Sequence, residues 1–81
     1  MEVDDDLKSD IYLETPYMML QQVLKSETII NSGGEAKWFL RENEVLVNGE
    51  LEDRRGRKLY PGDVIEVPGI AIITMHSMDE K

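Results

Sequence analysis

Apolar residues recur along the chain with two different periods, three to four residues in the first half and two in the second. Tyr17, Leu20, Val23 and Leu24 stand at helical spacing. They predict a helix starting near Pro16, because Thr15 is a good N-cap and proline suits the first helical position, where no N–H is missed. Met18 and Met19 are read as core beside them. Ser32-Gly33-Gly34-Glu35 predicts the start of a second helix. Ser32 and Glu35 have capping-box spacing, in which hydroxyl and carboxylate each take an orphan N–H. Ala36, Phe39 and Leu40 form the buried stripe of this helix, and Asn43 ends it. A short join between the two predicts an αα-hairpin.

The remainder reads as strands punctuated by turns. Val45-Leu46-Val47 runs into Asn48-Gly49, a two-residue hairpin signal because both residues tolerate positive φ. Glu50-Leu51-Glu52 returns, and Arg54 to Lys58 forms a loop around Gly56. Leu59-Tyr60 leads to Pro61-Gly62, which suits a type II turn. Val64 to Val67 is a strand, Pro68-Gly69 turns, and Ile70 to Met75 is the last strand. Ile11-Tyr12-Leu13 is a candidate edge strand. Residues 1–9 are read as an acidic disordered tail, 10–76 as one domain and 77–81 as a C-terminal tail.

Charge changes this picture through its distribution. The net charge is -8, which by itself argues against a polyanionic partner. Residues 1–15 hold six acids against Lys8 alone. Residues 33–60 hold six acids and six bases, and four of those bases fall within 54–58. At physiological salt the screening length is about 8 Å, so a basic patch can act locally on an acidic body. The chain has no cysteine and one histidine. That excludes a thiol nucleophile, a disulfide framework and a cysteine zinc site. No nucleophile–base pair or metal set can be assembled, so neither enzyme activity nor a cofactor is expected. His76 is expected to be exposed and idle, and Asp63 to cap turn N–H groups. No apolar run suggests a secretory signal or a membrane span. The expectation is a soluble cytoplasmic protein, monomeric and with no membrane partner.

Two features carry candidate chemistry. Lys37 and Arg41, four apart, share a helix face, and Trp38 lies beside them off the Ala36-Phe39-Leu40 stripe. Cations neutralise phosphate, and an indole can stack a base. The competing reading pairs these cations with Glu35 and Glu42 and buries part of Trp38. The second feature is Arg54-Arg55-Gly56-Arg57-Lys58. Arginine forks suit phosphate, and glycine permits close approach of a ligand. The competing reading is a solvated loop, its charge offset by Glu50, Glu52 or Asp53. Replacing Arg54, Arg55 and Arg57 together is expected to weaken binding with little change in folding. Gly33-Gly34 before a helix is a weak phosphate-site signal, with no Gly-Lys-Ser/Thr to make it a nucleotide loop.

Taken in order, the capped helix, the Ser32-to-Lys37 helix start, Val47-Asn48-Gly49, the basic loop and Gly62-Asp63-Val64-Ile65 resemble the alpha-L RNA-binding motif. This is the module named after small-subunit ribosomal protein S-four. The run from Gly33 to Leu40 is similar to its small stand-alone branch, the YaaA and YbcJ type. The resemblance covers about Leu13 to Val67. It implies an α/β (α+β) fold with a helical hairpin packed on a small bent antiparallel sheet. It further implies that Lys37, Trp38, Arg41, Asn48, Arg54, Arg55, Arg57 and Lys58 contact structured RNA, ribosomal RNA above all, in translation or ribosome assembly. Where the wider family often begins the second helix with Ser-Arg, this chain has Gly34-Glu35. The alternative is an acidic adaptor docking on a basic partner such as a ribosomal protein.

Overall fold

Tight turns organise the C-terminal half of the computed structural model, which describes residues 7–80. Asn48 and Gly49 both take positive φ, 53° and 85°, the conformation a two-residue hairpin with right-handed twist requires. They join β3 (Leu46–Val47) to β4 (Glu50–Leu51). Gly62 takes φ 97°, and the Asp63 N–H donates to the Tyr60 carbonyl, closing the Pro61-Gly62 turn. This turn leads from β5 (Lys58–Leu59) to β6 (Val64–Val67), which pairs with both β3 and β7 (Ala71–Ser77).

Five of the strands form one sheet in the order β1-β7-β6-β3-β4, where β1 is Lys8–Leu13. The fold is α+β, but the sheet is mixed. β1 runs parallel to β7, while the other pairs are antiparallel as expected. Lys8 and Ser9, inside the stretch read as tail, are strand residues; 1–6 lie outside the described residues. At the other end Ser77 closes β7 and Met78–Glu80 form a 3-10 turn, with Lys81 outside the described residues.

The first helix is shorter than its sequence signals. α1 spans Leu20–Ser26, and the expected first turn is instead β2 (Met18–Met19), paired antiparallel with β5. The Thr15 hydroxyl donates to the Tyr17 carbonyl in a local turn and caps nothing. Local capping preference yields here to a pairing between segments far apart in the chain. α2 spans Glu35–Glu42, as its stripe predicts. The expected Ser32–Glu35 capping box does not form: Gly34 is the N-cap, so Glu35 is the first helical residue, its carboxylate accepts the Asn31 N–H at 3.3 Å and not that of Ser32, and the Ser32 side chain caps nothing. Asn43 ends the helix with its backbone and side-chain N–H groups both on the Phe39 carbonyl.

Alternation along β6 and β7 turns Ile65, Val67, Ala71, Ile73 and Met75 to one face. There they meet Leu20, Val23 and Leu24 of α1 and Ala36 and Leu40 of α2 in a single buried cluster. Tyr17, assigned to this core by its spacing, is outside it, and Met18 and Phe39 pack at its margin.

Candidate nucleic-acid interface

The loop between β4 and β5 is built around a buried anion. Glu52 is 7% exposed, one step past the exposed Leu51, so the polarity of the returning strand is inverted there. Its carboxylate accepts the Arg54 backbone N–H at 3.0 Å, Arg54 Nε at 2.9 Å, Arg54 Nη2 at 3.1 Å and Arg57 Nη1 at 2.7 Å. A carboxylate removed from water must have such donors, and charge-assisted bonds of this length are the strong kind. The Arg54 side chain is the main influence holding Glu52 down from 4.5 to about 2. Burial works against it, and the Arg54 N–H and Arg57 assist. The same loop turns its carbonyls inward. Arg57 and Arg55 accept the Leu20 and Gln21 N–H groups at 2.8 and 2.9 Å, satisfying orphan donors at the start of α1.

This bracing divides the basic run. Arg54 and Arg57 serve the fold, although 70% of the Arg54 side chain still faces solvent. The expectation that replacing Arg54, Arg55 and Arg57 together would leave folding almost unchanged is therefore corrected: losing Arg54 and Arg57 would strip a buried carboxylate of its partners. Arg55 and Lys58 make no ion pair among the described residues. Of the three acids considered as counter-charges, Glu52 takes that role.

The face of α2 arrives at the same place. Lys37 and Arg41 line an open cleft together with Asp53, Arg54, Arg55 and Gly56. Four cations thus meet there against one exposed acid. Trp38 is 58% exposed beside the cleft, with the Lys37 Nζ 5.8 Å and the Arg41 Cζ 5.4 Å from its ring. Cations at such distances are drawn to the negative ring face and steady an indole left in solvent. Neither Lys37 nor Arg41 pairs with a carboxylate among the described residues, so the competing reading of Glu35 and Glu42 partners is not what is seen.

The other sequence candidates lie elsewhere. Asn48 is engaged at both ends of its amide, donating to Asp63 Oδ1 at 3.0 Å and accepting the Val64 N–H at 2.9 Å. It ties the hairpin turn to the Pro61-Gly62 turn, where Asp63 also accepts the Tyr60 N–H as expected of a turn cap. Lys58 is not among the residues lining that cleft; its Nζ lies 4.9 Å from the Tyr17 ring. The Gly33-Gly34 entry to α2 has no positive-φ glycine, and the Glu35 carboxylate already turns back across it. His76 is not the idle exposed residue expected: it stacks on Tyr12 at 4.8 Å, with Nε2 2.8 Å from Asp10 Oδ1. The parallel β1–β7 register, which sets Tyr12 against His76, brings them together. Sequence reasoning does not reach Glu52 as loop organiser or Tyr60 as an exposed ring. For the first, the sequence offers only an acid just ahead of the arginine run; that Glu52 and not Leu51 is the buried one emerges only in the fold.

Comparison with protein families matches residues 11–74 to the S4 domain model. Over 63 residues the chain is 54% identical to a protein of Bacillus subtilis (strain 168) described as a probable ribosome maturation protein, RlbA. The match covers 78% of this chain and 89% of that protein.

Proposed function

This chain belongs to the S4 domain family, the alpha-L RNA-binding motif its residues resemble, and on that premise we propose that it binds structured RNA in ribosome maturation, ribosomal RNA being the intended target. It acts as a binding module, not a catalyst. The observation that carries this reading is the convergence of Lys37 and Arg41 with Arg54 and Arg55 on one cleft. Phosphate oxygens seat against the cations, and the Trp38 ring offers a stacking plane at the rim. The braced loop presents its arginines without first having to be ordered, which lowers the entropic cost of binding. The name given to the Bacillus subtilis relative supports the ribosomal setting.

The test is a salt titration of binding to ribosomal RNA fragments. Lys37→Ala, Arg41→Ala and Arg55→Ala remove cations that hold no carboxylate among the described residues, so the triple variant should melt close to the parent. Its log K against log salt slope should shrink by about 0.7–0.9 for each phosphate that is no longer neutralised. An unchanged slope removes the cleft from the mechanism. Retention of a basic ribosomal protein in place of RNA would favour the adaptor reading, which the net charge of -8 keeps second.

A further inference from the structure

A second surface adjoins that cleft at Arg54 and Gly56. The antiparallel register of β2 and β5 sets Met18 against Leu59 and Met19 against Lys58. Continued by one rung it sets Tyr17 against Tyr60. Alternation then puts Leu59 and Met18 toward the core, and Tyr17, Tyr60 and Lys58 on the outer face of the ribbon. The rings meet at 5.9 Å between centroids with a 48° tilt, and they stay 37% and 48% exposed. The Lys58 Nζ stands over Tyr17 with no carboxylate partner among the described residues. Arg54, Gly56, Arg57, Lys58 and Tyr60 line an open depression alongside.

We propose that this ribbon is a second RNA contact, in which an unpaired base stacks on the Tyr17–Tyr60 ring pair while Lys58 meets its phosphate. A cross-strand aromatic pair does help to hold a two-residue ribbon together, but that role alone requires neither two partly exposed tyrosines nor an unpaired cation above one of them. Flat rings beside a cation on a braced support are the elements by which proteins hold single-stranded nucleic acid, because every base has a π-face and every nucleotide a phosphate. A duplex offers no free base face, so the ribbon selects loops, bulges and ends. The proposal rests on the reading of the chain as an RNA binder. It adds a division of labour: the α2 cleft grips phosphates of folded RNA, and the tyrosine ribbon takes a base that the fold leaves unpaired.

The experiment compares two labelled RNAs on the full chain, a hairpin with a five-uridine loop and the same stem as a blunt duplex. The parent should bind the looped RNA more tightly. Tyr60→Ala and Tyr17→Ala should each weaken looped binding roughly 5- to 100-fold and leave duplex binding unchanged. Tyr60→Phe should keep the preference and Tyr60→Leu should lose it, a comparison that preserves apolar bulk in case the alanine variants melt early. Lys58→Ala should lower the salt slope on the looped RNA by about 0.7–0.9. Ring resonances of Tyr17 and Tyr60 should shift on addition of the looped RNA only. Equal binding by the phenylalanine and leucine variants, or equal losses on both RNAs, overturns the stacking role. In that event the α2-cleft triple variant would still weaken both RNAs. If the parent binds neither RNA, the RNA reading itself fails, and the ribbon proposal with it.

Discussion

The cations of α2 and two of those in the 54–58 loop, Arg54 and Arg57, have the same chemistry and opposite employment. On α2, both Lys37 and Arg41 stand over the Trp38 ring with no carboxylate partner among the described residues. In the loop, Arg54 and Arg57 are what allow Glu52 to be buried at all. A count of positive charge therefore overstates the grip available. Part of the arginine run is internal scaffolding, and the residue that decides which part is an acid.

The sharpest way to break this comparison is to remove the acid. Glu52→Gln should destabilise the domain by about 2–3 kcal/mol, less than for a wholly buried pair because both guanidinium groups reach solvent. A thermal melt would show this as a fall in Tm on the order of 10–20 °C. The effect should depend on pH. A carboxylate held at about 2 instead of 4.5 contributes stability that is complete above its unfolded value and disappears as pH falls from about 4.5 through about 2. Parent and Glu52→Gln melts should converge across that window and stay a constant distance apart above it. Next in size is Arg57→Ala, which removes a 2.7 Å bond to Glu52 and should cost about 1–2 kcal/mol in a denaturant titration. Smallest is Arg55→Ala, expected within about 0.5 kcal/mol of the parent. Equal losses for Arg55→Ala and Arg57→Ala would erase the distinction between bracing and binding arginines.

How much of this is legible in the sequence follows from the range of each signal. The Asn48-Gly49 and Pro61-Gly62 turns, α2 and its Asn43 stop are specified by neighbours in sequence, and they stand where expected. The start of α1 departs from its local signals because Thr15-Pro16 speak only for their own turn, while β5 claims Met18 and Met19. The same pairing moves Tyr17 from the expected core stripe to the surface. Lys37, Arg41, Arg54 and Arg55 can be named as candidates from residue type and spacing, yet their convergence depends on how α2 and the loop pack. The role of Glu52 is hidden among three plausible acids, since alternation alone does not say which face a two-residue strand turns inward.

Because Arg55 and Arg57 lend their carbonyls to the first turn of α1 while Glu52 is clasped from the same segment, the spacing from 52 to 57 is a fixed gauge. An ordinary surface connection tolerates gain or loss of a residue. Here one added or deleted residue would slide the carbonyls off the helix start and the guanidinium groups off the carboxylate together. Length, more than composition, is what this segment cannot trade.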